Sequence, residues 1–201
     1  MNYLKYYLIA IAVIVLDQVV KLLVHFNMDM GAMGEIHLIG DVFKLHYTLN
    51  PGMAFGVELG SNYGKIILTT FRLIAIGGIA WYLSQLISRN SHRGFLICLA
   101  LILGGAVGNV VDSIFYGVYL ENAPYNAPTP WFNGQVIDMF YLDIWEGLLP
   151  HWVPILGGKY YSIWPIFNVA DSSIFTGVTL ILIFQKTFIK AEEPLAQVKI
   201  Y

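Results

Sequence analysis

Hydrophobic residues run through this chain in four long blocks, at about positions 3–26, 64–87, 95–116 and 166–189. Each block reaches the ~20 residues that a helix rising ~1.5 Å per residue needs to cross ~30 Å of hydrocarbon. Four membrane spans are therefore predicted. The first is expected to be retained rather than cleaved as a leader: its basic start is only Lys5, it has no small-residue cleavage site, and it contains Asp17, Gln18 and Lys21. Between the first two blocks, Ile36, Leu38, Val42, Phe43, Leu45, Tyr47 and Leu49 partly alternate with polar residues, as a half-buried strand or hairpin does. Asn50-Pro51-Gly52 closes that run with turn residues. The connection 117–165 contains Pro124, Pro128, Pro130, Pro150, Pro154 and Pro165, which exclude a continuous helix. Its Trp131, Trp145, Trp152, Tyr160, Tyr161 and Trp164 suit an aromatic belt at headgroup level.

Composition agrees with a membrane protein, since 57% of the 201 residues are hydrophobic and 12% charged, against roughly 25% charged in an average soluble domain. A net charge of −2 gives no basic footprint for nucleic acid, which is excluded as a partner. The single cysteine, Cys98, lies in an apolar run and reads as a small core residue. Lys5, Arg89, Arg93, Lys186, Lys190 and Lys199 fall on the termini and the short second connection, whereas the long connections carry only Lys44 and Lys159, with Lys65 at a boundary. By the positive-inside rule both termini face the cytoplasm, including the tail 190–201, and segments 27–63 and 117–165 lie outside. No repeat or linker divides the chain, so residues 1–201 are expected to form one integral-membrane domain.

Span direction then fixes the depth of the polar residues. Asp17 and Lys21 fall in the outward half of the first span, Arg72 about two turns below the outer mouth of the second, Asn109 and Asp112 near the outer end of the third, and Asn168 and Asp171 at the start of the fourth. An ionised carboxylate at mid-bilayer costs at least ~2.5–3.5 kcal/mol, so such groups are functional-site candidates by default. Asp17 and Lys21, spaced i,i+4, share a helix face and can neutralise each other as a structural ion pair. A lysine base acting on Ser113, Ser172 or Ser173 is the chemical alternative. Gly104 and Gly108 have the small-xxx-small spacing that lets helices approach closely, and Asn109 and Asp112, repeated in spacing by Asn168 and Asp171, would face a common neighbour as interhelical glue. Asp138, read as a loop aspartate, could pair with Asp171 around a shared proton and a water, though spacing alone cannot bring them together. His25, His37, His46, His92 and His151 are scattered without a metal-ligand spacing. Neither metal nor cofactor is expected. A small ion-coupled transporter and a purely structural membrane protein remain as rival readings.

Five motifs taken in order resemble the bacterial lipoprotein signal peptidases, also called signal peptidase II. They are Leu16-Asp17-Gln18-x-x-Lys21, Asn50-x-Gly52-x-Ala54-Phe55-Gly56, Gly104-Gly105-x-x-Gly108-Asn109-x-x-Asp112, Val136-Ile137-Asp138 and Phe167-Asn168-x-Ala170-Asp171. The resemblance implies an all-α bundle of four transmembrane helices with a small extracytoplasmic β-cradle and a long extracytoplasmic loop or helical insertion. It implies an aspartic endopeptidase of the bacterial inner membrane that cleaves diacylglyceryl-modified prolipoproteins before the lipidated cysteine. Asp138 and Asp171 match the catalytic pair. Asn50, Gly52, Gly108, Asn109, Asp112, Asn168 and Ala170 match supporting or substrate-binding positions, and Asp17 and Lys21 match a more structural pair. Prolipoproteins and membrane lipids are the expected partners, and a monomer is expected. Ser113 stands where the family usually has arginine, with Arg72 the nearest intramembrane cation that could replace it. Segments 117–133 and 142–163 are longer than usual between these motifs.

Overall fold

Along the first apolar block the buried side chains are Tyr6, Ala10, Asp17, Lys21 and Val24, at spacings that keep them on one helical face. Leu4, Leu8, Ile11, Val15, Val19 and Leu23 lie exposed on the rest of the helix. That inversion suits a helix whose outer surface meets lipid. The computed structural model describes residues 3–51, 64–153, 157–158 and 160–190. It contains four helices long and apolar enough to cross a membrane. The helix α1 spans Tyr3–Asn27, α2 spans Gly64–Ser88, and α3 spans Arg93–Val111. A π-helical turn, Asp112–Tyr116, and the single turn α4, Gly117–Tyr119, extend α3, and α5 spans Val169–Lys190.

The central helix is α3, which packs against α1, α2 and α5. Its glycines make this possible: a Cβ on Gly108 would stand 2.7 Å from Asp17 Oδ2, and one on Gly104 2.7 Å from the Ala10 carbonyl oxygen. Both residues therefore serve close helix approach, as their spacing predicts. Gly108→Ala is expected to force α1 and α3 apart and cost about 1–3 kcal/mol, read as a lower midpoint in a thermal unfolding scan.

The alternating run folds as two strands, β1 (Ile36–Ile39) and β2 (Phe43–Asn50), paired antiparallel. The sheet has a third strand, β3 (Val136–Leu142), in the order β1-β2-β3. Thr48 stands opposite Asp138, and Asn50 opposite Val136. Asp138 is thus a strand residue rather than a loop residue. Its run Val-Ile-Asp-Met-Phe-Tyr-Leu is rich in β-formers, and β2 supplies the partner that a local reading could not.

Within the expected long loop or helical insertion, segment 142–163 carries a short hairpin, β4 (Glu146–Leu148) paired with β5 (Tyr160–Ser162). Pro150 between the strands and Pro165 after them break any helical continuation. The fourth long helix begins at Val169, not at 166, because Phe167 pairs with Phe140 as a β-bridge. Phe167 accepts backbone hydrogen bonds from Met139 and Phe140 at 3.1 and 2.8 Å and donates to Phe140 at 3.0 Å. That clasp sets β3 beside the start of α5. The motif residues Gly52, Ala54, Phe55 and Gly56, any helical segment across 52–63, and the tail 191–201 lie outside the described residues.

Candidate active site

Asn168 and Asp171 hold one another as a helix capping box. The Asn168 side-chain oxygen accepts from the Asp171 backbone N–H at 2.8 Å, and Asp171 Oδ2 accepts from the Asn168 N–H at 3.3 Å. Asn168 is therefore the N-cap and Asp171 the third helical residue. A carboxylate at that position also meets the positive end of the helix dipole. The similarly spaced Asn109 and Asp112 do different work: they end α3 where it passes into the π-turn. Equal spacing does not mean equal geometry here.

One side chain reaches both candidate catalytic residues. Asn168 Nδ2 donates to Asp138 Oδ1 at 2.6 Å while the rest of Asn168 caps Asp171. Asn50 Nδ2 donates to the other oxygen of Asp138 at 3.0 Å. Asn109 Nδ2 donates to Asp171 Oδ1 at 2.8 Å. Each carboxylate thus has both oxygens engaged by N–H donors from different elements. Asp138 is 1% exposed, whereas Asp171, Asn109 and Asn50 are half-buried. Burial, reinforced by the charge of Asp171, pushes the Asp138 carboxyl up to about 7, against the opposing hydrogen bonds of Asn50 and Asn168.

Behind this pair lies a buried ionic cluster. Lys21 Nζ donates to Asp17 at 2.7 Å, Asp112 at 2.8 Å and Asn109 Oδ1 at 3.0 Å. These contacts use the three donors of an ammonium group. Lys21 therefore has no lone pair to act as a base, and the Ser113 and Ser172 hydroxyls donate to the carbonyls of Asn109 and Asn168. The serine–lysine alternative fails on that geometry.

The cluster also positions backbone. Asp17 Oδ1 accepts from the Ala170 N–H at 2.9 Å, in the first turn of α5, and Asp112 Oδ2 accepts from the Ile137 N–H at 3.3 Å, next to Asp138. Lys21 orients Asn109 so that its amide nitrogen faces Asp171. Asp17 and Lys21 are thus more than a simple pair: they join a set that fixes both carboxylate-bearing elements.

Gln18 escaped the sequence assignment, although it stands beside Asp17. Its Nε2 donates to Asp112 at 2.9 Å, with Asp17 Oδ2 at 3.1 Å and the Gly108 carbonyl at 3.2 Å. The Tyr116 hydroxyl donates to Gln18 Oε1 at 2.8 Å. The i,i+1 spacing from Asp17 hid this role, because adjacent helix residues point apart unless a third helix gathers them. Asn122 and Gln135 were missed too. Asn122 Nδ2 donates to the Gln135 carbonyl at 2.9 Å, and the Gln135 N–H donates to Asn122 Oδ1 at 3.0 Å, closing the loop before β3. Arg72 lies within electrostatic reach of Asp171, while Ser113 is wholly buried.

The family model for signal peptidase (SPase) II matches residues 9–187. The chain is 52% identical to a lipoprotein signal peptidase of Amoebophilus asiaticus, over 92% of this chain and 79% of that protein. Its identity to one from Porphyromonas gingivalis is 39%, over 86% and 79% of the two chains. To one from Chlorobium phaeobacteroides it is 36% identical, over 91% and 96%. A solved bacterial membrane enzyme superimposes with a TM-score of 0.60 at 25% identity, covering 96% of this chain and 95% of the other. The carboxylate constellation and these likenesses agree: the chain belongs to the signal peptidase II family of membrane peptidases.

Proposed function

We propose that this peptidase removes the signal peptide from diacylglyceryl-modified prolipoproteins, cutting before the lipidated cysteine, with Asp138 and Asp171 as its catalytic pair. The observation that carries this reading is Asn168, whose amide and backbone contact both carboxylates. Family membership supports the peptidase reading and gives none to ion transport. The excess of Lys and Arg on the termini supports an inner-membrane orientation with both ends cytoplasmic and the sheet at the outer face. At that depth the substrate's apolar helix can enter between spans while its acyl chains remain in lipid.

In this mechanism Asp138 starts protonated and Asp171 ionised, as the raised titration of Asp138 and the N–H donors around Asp171 favour. Asp171 takes a proton from water as the water oxygen attacks the scissile carbonyl. Asp138 gives its proton to the departing nitrogen as the C–N bond breaks. The products are the signal peptide's carboxyl end and the free amine of the modified cysteine. An oxyanion role for Asn50 or Asn168 competes with the present geometry, in which both amides are turned onto Asp138. Their first task is to hold that carboxyl group.

Cleavage is then expected below about pH 7 for as long as Asp171 stays ionised, and to fall as Asp138 loses its proton above about pH 7. Asn50 favours the ionised form by donating to it, so Asn50→Ala should raise the titration point and move the alkaline limb upward. A pH profile of kcat/KM on a diacylglyceryl-modified prolipoprotein measures both. An Asn50→Ala profile that overlays the wild type would remove Asn50 from this role.

A further inference from the structure

The hairpin β4–β5 presents an apolar surface that the cleavage chemistry leaves unused. Ile144, Leu148 and Ile163 are 63%, 64% and 57% exposed, and Trp152 is 81% exposed. Patches of this kind on a polar rim mark sites of contact with another phase or partner. The nearby acidic groups are turned away onto the sheet. Asp143 accepts from Lys44 Nζ at 2.8 Å, and Glu146 accepts from the Tyr141 hydroxyl at 2.7 Å. Glu146 and His151 are exposed at this surface too, but its large exposed side chains are aromatic and aliphatic.

The surface is continuous with the flank of a helix long and apolar enough to cross a membrane. Trp164, just after β5, meets Phe175 of α5 edge-on with ring centroids 6.1 Å apart. Phe175 is itself 60% exposed, and Leu182 and Ile183 carry the same uncovered apolar character further along α5. A hairpin contiguous with a lipid-facing helix flank, and carrying tryptophans, fits the headgroup region, where amphipathic rings concentrate. From this continuity we propose that the β4–β5 hairpin is a lipid-surface anchor, lying in the headgroup layer at the same end of the bundle as Asp138 and Asp171.

The point of insertion gives the anchor a use. The hairpin leaves the sheet after Leu142 and returns at Phe167, which is bridged to Phe140. Its two ends thus run into the two elements bearing the carboxylates. A hairpin seated in the lipid surface holds that pair at a fixed height relative to the headgroups. This part rests on the membrane-peptidase reading, because only a substrate with an acyl-modified residue makes that height matter.

The test places a nitroxide at Leu148→Cys, with Asp41→Cys as the aqueous reference because the Asp41 side chain is 91% exposed. Buried Cys98 stays in place, and unsubstituted protein reports any labelling there. In phospholipid nanodiscs, power-saturation EPR should find the Leu148 label shielded from a water-soluble nickel chelate and accessible to oxygen. Nickel access equal to that at Asp41, or shielding from both reagents as under a protein partner, overturns the anchor. A second measurement uses the Leu148→Glu, Trp152→Glu double variant. Cleavage of lipid-modified substrate should drop about fivefold in nanodiscs and match wild type in detergent. An equal drop in both media, or none in either, overturns the height-setting role. The EPR depth is read without turnover, so a failure of the peptidase reading leaves its outcome intact.

Discussion

Asp138→Asn and Asp171→Asn, each made singly, are expected to yield folded proteins that have lost at least about 10²–10⁴ of their cleavage rate, the usual contribution of a positioned acid or base. Asparagine keeps the shape of the carboxylate and an acceptor oxygen. The Asp171→Asn variant can therefore still close the capping contact with the Asn168 N–H, and Asp138→Asn still has an oxygen for Asn168 or Asn50. What disappears is the capacity to take and give a proton. Cleavage of a diacylglyceryl-modified prolipoprotein, followed beside a thermal unfolding scan, separates chemistry from folding. Normal cleavage by either well-folded variant would remove that residue from the catalytic pair.

The largest stability effect is expected from Lys21→Met. Lys21, Asp17 and Asp112 are all fully buried, and removal of the cation leaves two carboxylates without their counter-charge. Breaking a buried ion pair from one side typically costs about 3–5 kcal/mol. The expected readout is a sharply lower unfolding midpoint in detergent. Adding Asp17→Asn and Asp112→Asn should recover part of that loss, because the uncompensated charges are then gone. Activity should not recover with it. Asn109 would still lack the Lys21 ammonium that aims its amide at Asp171, so kcat should stay low while KM changes little. A rescued triple variant with wild-type kcat would reduce the cluster to a packing element.

The two kinds of legibility in this chain have different physical origins. Apolar length alone gave the four spans, because crossing hydrocarbon sets a minimum that few other structures need. Alternation gave β1 and β2. It could not give their partner β3, since strand pairing is a long-range choice made by the sheet. Asp138 therefore reads locally as a loop residue, and its place in a strand comes from the pairing opposite Thr48. The motif resemblance drew Asp138 and Asp171 together, and the hydrogen bonds of Asn168 supply the physical link. Gln18 and Tyr116 stayed hidden for another reason. Their roles exist only where α1 and the end of α3 meet, and neither has a local spacing that signals it. The hairpin β4–β5 has no signal in the long proline-rich connection, because its residues hold strand pairing only through contacts with each other.

The capping box has a consequence for how the enzyme meets its substrate. In the proposed mechanism, a carboxylate on a free side chain would lose rotamer entropy each time it is fixed to take a proton from water, a cost that falls on each catalytic encounter. Asp171 has already lost that freedom in forming the first turn of α5, with one oxygen on Asn168 and the other on Asn109. Its carboxylate moves only as the helix moves. Folding has thus met, once per molecule, an ordering cost that would otherwise recur with every turnover.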